Sequence, residues 1–375
     1  MLYREFGKTG EKLSILGFGA MRLPVIDNDD SNIDEEKAIR MIRHSIDEGV
    51  NYLDTAYVYH GGMSEKLCAK VMKDGYREKV KIATKFPGWV EGDMRPILDE
   101  QLAKLEVDCI DFYLLHAMCH EFWGHMKKND YKSFLDEAKR TGKIKYAGFS
   151  FHDDIRLFKE IVDDYDWDFC QIQFNYMDDE YQAGKEGLEY AAGKGLGVII
   201  MEPLRGGMLS RKDLPEEVEK LWKKAPVYRT PAEWALRYIW NYPEIGVVLS
   251  GMGTMEQVEE NIRTACDALP NSLTEEEQSI IRQVKDFFLS RTRVNCTNCH
   301  YCMPCPAGVN IPEHFWAYNH ESQFDDFGKA KYWVTDWLKE SERASNCVEC
   351  GQCENHCPQN ITIRKHLKDI IVRYA

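Results

Sequence analysis

The chain has 375 residues, 44% of them hydrophobic, and a formal net charge of −14. That length is enough to bury one large core and one smaller one, and the acidic balance leaves no basic stripe to neutralise phosphates, which argues against nucleic acid as a partner. The longest apolar runs, such as Gly197 to Met201, are far too short to span a bilayer, and Met1–Phe6 has no apolar stretch of the secretory kind, so a cytoplasmic protein is expected.

From the N-terminus, short β-branched or aromatic runs alternate with helical patterns. Strands are expected at Ile15–Phe18, Tyr52–Asp54, Val80–Lys85, Ile110–His116, Tyr146–Ser150, Phe169–Phe174, Val198–Glu202 and Val247–Ser250. Helices are expected at Glu35–Glu48, Glu65–Lys73, Pro96–Lys104, Tyr131–Lys139, Asp154–Val162, Lys185–Ala192, Pro231–Trp240 and Met255–Ala265. This alternation predicts an α/β fold, a closed (β/α)8 TIM barrel over residues 1–291. A doubly wound open sheet is the alternative, but no G-x-G-x-x-G follows the first strand. The connections 117–130 and 205–230 are long enough to act as functional covers. Their aromatics Phe122, Trp123, Trp222 and Tyr228 either line a pocket or pack the loops down. Thr274 and Glu277 make a capping box for one more amphipathic helix over Leu273–Leu289.

Residues 292–375 differ in kind. Eight of the thirteen cysteines fall here, as Cys296, Cys299, Cys302, Cys305-Pro306 and Cys347, Cys350, Cys353, Cys357-Pro358. Three thiolates spaced by two residues wrap one corner of an iron–sulfur cube, and a fourth before proline ligates the other cube. The second run has that spacing. In the first, only Met303 and Pro304 separate Cys302 from Cys305, which leaves the placement of Cys305 open. Paired zinc sites are the competing reading. Zinc gains nothing from a third regularly spaced cysteine or from two Cys-Pro steps, so two [4Fe–4S] clusters in a small, mainly helical ferredoxin-like domain are expected. A disulfide framework does not suit a chain of this length without a secretory signal. Between the runs, Phe315 and Tyr318, then Tyr332, Trp333 and Trp337, recur at helical intervals and predict two helices. Cys68, Cys109, Cys119, Cys170 and Cys266 are scattered and read as free thiols. Free thiols with clusters imply a reducing, oxygen-poor cytoplasm.

Barrel chemistry sits where strands end. Asp54 ends the second strand with Tyr59 five residues on, Lys85 ends the third and His116 the fourth. An ammonium beside a phenol is expected to lower the phenol's pKa, and a carboxylate beside the ammonium keeps it charged. An imidazole then orients a carbonyl. The set makes a proton donor for an oxygen that gains negative charge. Singly, each residue has a plain structural use; Asp54 alone can cap a helix.

Taken in order, Asp54-Thr55-Ala56-Tyr57-Val58-Tyr59, Ala83-Thr84-Lys85 and Leu114-Leu115-His116 resemble the aldo-keto reductase family. Gly19-Ala20-Met21-Arg22, Gly148-Phe149-Ser150, Gln171-Ile172-Gln173-Phe174-Asn175 and Glu202-Pro203-Leu204-Arg205-Gly206-Gly207 extend the resemblance over about residues 1–290. The whole chain is similar to the subgroup fused to a C-terminal ferredoxin-type [4Fe–4S] domain. The resemblance implies a catalytic tetrad of Asp54, Tyr59, Lys85 and His116, with Tyr59 rather than Tyr57 as proton donor, reducing a small-molecule aldehyde or ketone with NAD(P)H. It places the nicotinamide amide at Ser150 and Gln171, and the rest of the nucleotide at Leu204, Gly251, Gly253, Glu260 and Asn261. Phe151 stands where the family often has Asn, and Met201 where it has a stacking aromatic. Gly251 and Gln257 stand where NADP-dependent members commonly carry cations, so NADH is favoured over NADPH. Taken alone, Ser250–Gly253 reads as an ordinary Gly-rich turn, and Glu260 with Asn261 reads equally as an exposed helix face. Two other readings compete. In one, a ferredoxin or flavodoxin-like carrier feeds the clusters, which supply the barrel without nicotinamide as immediate donor, a flavin being open as converter. In the other, the chain is an electron-transfer relay subunit with a disused barrel.

Overall fold

The computed structural model describes residues 1–297 and 300–375. The chain divides into two compact units, residues 1–203 with 232–273, and residues 204–231 with 274–375.

The first unit opens with an antiparallel hairpin, β1 (Tyr3–Glu5) and β2 (Lys12–Ser14). There follow β3 (Leu16–Gly19), α1 (Glu35–Asp47), β4 (Tyr52–Asp54), α2 (Ser64–Val71), β5 (Lys81–Pro87), α3 (Arg95–Leu105) and β6 (Ile110–Met118). Next come α4 (His120–Lys128), α5 (Tyr131–Arg140), β7 (Ile144–Phe151), α6 (Ile155–Asp164), β8 (Phe169–Gln173), α7 (Gly184–Gly193) and β9 (Gly197–Met201). The chain then passes through α8 (Glu216–Trp222) of the second unit and returns with α9 (Pro231–Trp240), β10 (Ile245–Ser250) and α10 (Met255–Ala265). Strands β3 to β10 close into a barrel in the order β10-β3-β4-β5-β6-β7-β8-β9, every pairing parallel. The expected (β/α)8 barrel is the fold.

The strands read as near-continuous apolar runs because both faces are covered; every residue of β6 is buried. The helices show a single apolar stripe. In α6, Leu157, Phe158, Ile161 and Val162 are buried, and Asp154 caps the start by accepting from the N–H groups of Arg156 at 2.8 Å and Leu157 at 3.1 Å. Phe6, between the two hairpin strands, is fully buried among barrel-interior residues and meets Phe112 edge-on at 5.6 Å. Gly197 and Gly246 make room for it: a Cβ on either would stand 2.6 or 2.5 Å from the Phe6 ring. The hairpin and the helix α4 inside the connection 117–130 were not expected. Strands of three residues are too short to show alternation, and α4 buries only Trp123 and Met126.

In the second unit, α8 lies in the connection 205–230 and α11 (Glu275–Arg291) starts from the expected capping box of Thr274 and Glu277. The two helices expected between the cysteine runs are α12 (Ile311–Phe324) and α13 (Phe327–Tyr332), the latter running into a π-turn over Trp333–Trp337. A short α14 (Gln352–Asn355) and a terminal α15 (Ile363–Tyr374) complete it. Its core joins Val294, Val309, Ile311, Phe315, Leu367 and Ile370. Glu321 on α12 ties the unit together, accepting from Arg293 at 3.0 Å, from Arg373 at 2.5 Å and from the Tyr374 hydroxyl at 2.7 Å. Among the described residues, no helix is long and apolar enough to cross a membrane.

Candidate active site and cluster sites

At the C-terminal ends of the strands, β4, β5 and β6 bring Asp54, Lys85 and His116 to one place, and the turn after β4 brings Tyr59 over them. The Lys85 ammonium is fully buried and donates to Asp54 Oδ1 at 2.6 Å and to the Thr55 carbonyl at 2.7 Å. It lies 5.0 Å from the centre of the Tyr59 ring, and the His116 ring meets that phenol ring nearly at right angles at 5.9 Å. Burial works against both charges of the Asp54–Lys85 pair, raising the carboxyl and lowering the ammonium, while each partner holds the other charged. Burial pushes the His116 imidazole well down, helped by Lys85 and His152, so it stands neutral.

The expected acidification of Tyr59 by Lys85 is not what the site does. Burial raises the phenol well above its ordinary value, with Asp54 and Glu202 adding to the rise and Arg22 opposing it. The ammonium is committed to Asp54 and a backbone carbonyl. Tyr59 is therefore held as a neutral O–H donor.

Behind Lys85 lies a second buried carboxyl. Glu65 accepts from Thr84 Oγ1 at 2.6 Å and from Gln101 Nε2 at 2.8 Å, and Gln101 also donates to the Lys85 carbonyl at 3.1 Å. This network fixes the strand end that carries the lysine.

Next round the barrel from β6, β7 and β8 place Ser150 and Gln171, both buried. Ser150 Oγ accepts from the Ala117 N–H at 2.7 Å, which leaves its own proton to give. Gln171 Oε1 is buried with no hydrogen-bond partner, while its Nε2 approaches the Met201 sulfur at 3.5 Å. One hydroxyl donor beside one orphaned amide acceptor is complementary to a primary carboxamide, the polar group of nicotinamide. At β10, Asn261 is buried and donates to Ser250 Oγ at 3.0 Å, so it is not part of an exposed helix face. The Gly253 N–H donates to Gln257 Oε1 at 2.8 Å, whereas Gly251 is exposed and Glu260 half-buried. Leu204 belongs to the second unit, where its carbonyl accepts from Gly207 and Leu209.

Of the loop aromatics, Phe122 and Trp89 stand at the mouth, Trp89 5.9 Å from both His116 and Phe122. Trp123 instead packs on Tyr131 at 5.0 Å, and Tyr228 is 90% exposed. Trp89, His152, Glu202 and Arg22 had no role in the sequence reading. Arg22 and Glu202 lie inside segments that carry the family resemblance without a role of their own, and no local pattern marks Trp89 or His152 as neighbours of His116.

The cysteines sort into two groups. Cys305 lines one hollow together with Cys347, Cys350 and Cys353. Burial raises the Cys302 thiol, and Cys296 and Cys357 act next; Cys299 lies outside the described residues. Cys353 is pushed up to about 11 by burial first, then by Glu354, Cys305, Cys347 and Cys350. Gathered thiols that oppose one another's ionisation fit a cationic iron–sulfur core, which relieves that repulsion.

Residues 15–286 match the Aldo/keto reductase family, and residues 295–362 match a 4Fe-4S dicluster domain. L-galactose dehydrogenase of Arabidopsis thaliana is 28% identical over 313 residues, 76% of this chain and 95% of the plant protein. A probable aldo-keto reductase 1 of Glycine max is 27% identical over 69% of this chain and 82% of its own. The solved structure of aldo-keto reductase AKR11C1 from Bacillus halodurans, holo form, has a TM-score of 0.63 at 27% identity, covering 76% of this chain and 96% of that one. With residues 15–286 matched by one family and 295–362 by the other, the chain belongs to the aldo/keto reductase family and carries a C-terminal 4Fe-4S dicluster domain.

Proposed function

We propose that the barrel reduces a small aldehyde or ketone with a nicotinamide dinucleotide, NADH in preference to NADPH, and that Tyr59 gives the proton. The observation that carries this reading is the neutral Tyr59 phenol set over the buried Asp54–Lys85 pair and beside a neutral His116. A bound nicotinamide supplies the hydride. His116 and the Tyr59 O–H receive the substrate oxygen, and the Lys85 ammonium, 5.0 Å from the ring centre, offsets the phenolate charge left when the proton has gone. Ser150 and Gln171 hold the carboxamide. Trp89 and Phe122 narrow the mouth and exclude water from it.

The two clusters, held by Cys296, Cys299, Cys302 and Cys357 and by Cys305, Cys347, Cys350 and Cys353, exchange single electrons. Cys350 is exposed and Val348 beside it is 69% exposed, which suits exchange with a small external carrier such as a ferredoxin or flavodoxin.

Protein loaded with iron and sulfide, held without air and given NADH deuterated at the transferable position, is tested on a panel of aldehydes and ketones. Deuterium on the carbinol carbon is expected. Bleaching of the iron–sulfur absorbance with no labelled alcohol contradicts the reading and favours the cluster-fed alternative.

A further inference from the structure

A cation stands in the wall of the hollow that Cys305, Cys347, Cys350 and Cys353 line. It is Arg364, in the first turn of α15. On either side of it along the chain, Ile363 and Leu367 are buried in the core of the second unit, and Leu367 also lines the hollow. The Arg364 side chain therefore starts from a seated piece of backbone.

The turn that carries Cys350 and Cys353 holds the guanidinium at three points. Nε and Nη2 donate to Glu354 Oε2 at 3.0 and 2.7 Å, while the Arg364 backbone N–H donates to Glu354 Oε1 at 2.9 Å. Nη1 donates to the Glu349 carbonyl at 3.4 Å. Between these points the group lies against Gly351, where a Cβ would stand 3.6 Å from Arg364 Cζ and 3.7 Å from Nη1. Gly351 is left-handed, φ 79°, which glycine adopts at no steric cost. One helical turn on, Lys368 donates to the Glu349 carboxylate at 2.7 Å and steadies the same turn. The guanidinium lies in the wall of the hollow, with Glu354 behind it. Hydrogen bonds and attraction from Glu354 come first in raising its pKa, and the Cys353 sulfur adds to the rise.

We propose that Arg364 tunes the cluster held by Cys305, Cys347, Cys350 and Cys353, raising its reduction potential above what the cysteines alone would set. The inference rests on the cluster reading above. A centre that takes up one electron gains one negative charge, and a fixed cation beside it favours that reduced state. Arginine suits the task because it stays charged at any working pH and its planar fork is locked by one carboxylate. The seat is also the one with an exposed ligand, Cys350, so a raised potential eases entry of an electron from outside. The electron comes from a one-electron carrier, which is oxidised as the cluster is reduced, and no bond or proton at Arg364 moves. Solvent reaches the guanidinium and screens it, so the effect is a matter of several-fold rather than thousands.

The test is a redox titration without air, followed by iron–sulfur absorbance and electron paramagnetic resonance, on iron- and sulfide-loaded wild type, Arg364→Gln, Arg364→Lys and Glu354→Gln. Arg364→Gln is expected to lower one midpoint by about threefold to tenfold in the one-electron equilibrium, about 30–59 mV, and to leave the other midpoint in place. Arg364→Lys should return part of that shift. Glu354→Gln, which leaves the guanidinium uncompensated, should raise the same midpoint. Two unchanged midpoints in Arg364→Gln, or two that move together, overturn the inference and leave the clusters standing. A midpoint that falls in Glu354→Gln marks a loosened turn in place of a charge effect, and overturns it. If Arg364→Gln loses a cluster, the sign in Glu354→Gln decides: a rise supports the inference, and an unchanged or lowered midpoint overturns it. Wild type that takes up no iron overturns the cluster reading and the inference together.

Discussion

Lys85 shows how burial and pairing divide the work at a single position. Its ammonium is sealed in the barrel with Asp54 as partner. Lys85→Met leaves that carboxylate buried and unpaired, and is expected to cost about 3–5 kcal/mol of stability; adding Asp54→Asn should return part of it, as read from denaturant midpoints. Lys85→Met should also lower carbonyl reduction by about a hundredfold or more, since the phenolate loses the ammonium beneath it. His152 makes a pH prediction with a definite sign. Burial lowers its imidazole from 6.5 to about 4, with a hydrogen-bonding interaction to Gln182 pulling the other way. On acidification the unfolded chain takes the proton first. Stability from neutral His152 is therefore complete above about pH 6.5 and lost as pH falls toward 4, by roughly 3 kcal/mol in all. Urea midpoints between pH 7 and pH 4 should fall, and His152→Gln should flatten part of that fall; an unchanged slope removes His152 as its cause. Asp54, Lys85 and His116 were legible because each lies at or near the end of a strand, and Tyr59 through the family resemblance. The protonation state of Tyr59 was not. It depends on where the lysine's hydrogen bonds go, and no spacing encodes that.

The elements divide by how much local signal each carries. The barrel strands are apolar on both faces and end in polar residues, so their runs mark themselves. Helices such as α6 and α11 announce their starts through Asp154 and Thr274. The hairpin β1–β2 has no such signal; what defines it is the distant fit of Phe6 over Gly197 and Gly246. Phe6→Ala should cost about 3–5 kcal/mol through the cavity it leaves, and Gly246→Ala should also destabilise, because a methyl there meets the Phe6 ring. A chemical-denaturation series reads both. In the second unit, α12 and α15 are joined through Glu321. Burial alone would raise its carboxyl, but the hydrogen bonds from Arg293, Arg373 and Tyr374 outweigh it and hold it at about 2. That stabilisation is present above about pH 4.5 and lost as pH falls toward 2. Glu321→Gln should release α15 first, seen as faster amide exchange over residues 363–374 with the barrel amides unchanged.

At the scale of the molecule, the chain is two units with separate sources of stability. The barrel has a large apolar interior. The second unit is smaller, and its cysteines add metal binding to a modest core. Stripping iron with a chelator in air should lower or abolish the thermal transition of the second unit and leave the barrel transition in place, by calorimetry with circular dichroism. A single transition that moves as a whole would contradict that division. The organisation was legible at this scale because cysteine spacing changes abruptly where the barrel pattern stops. The membership of residues 204–231 in the second unit was not, since a long connection looks the same wherever it packs.

The central claim is that Tyr59 gives the proton during reduction of a carbonyl. The most direct measurement is steady-state reduction by wild type and Tyr59→Phe, both loaded with iron and sulfide and assayed without air against the best aldehyde or ketone of the panel. The account predicts a fall of about 10²–10⁴-fold in turnover, with the cluster absorbance unchanged. Equal turnover by the two proteins would contradict it.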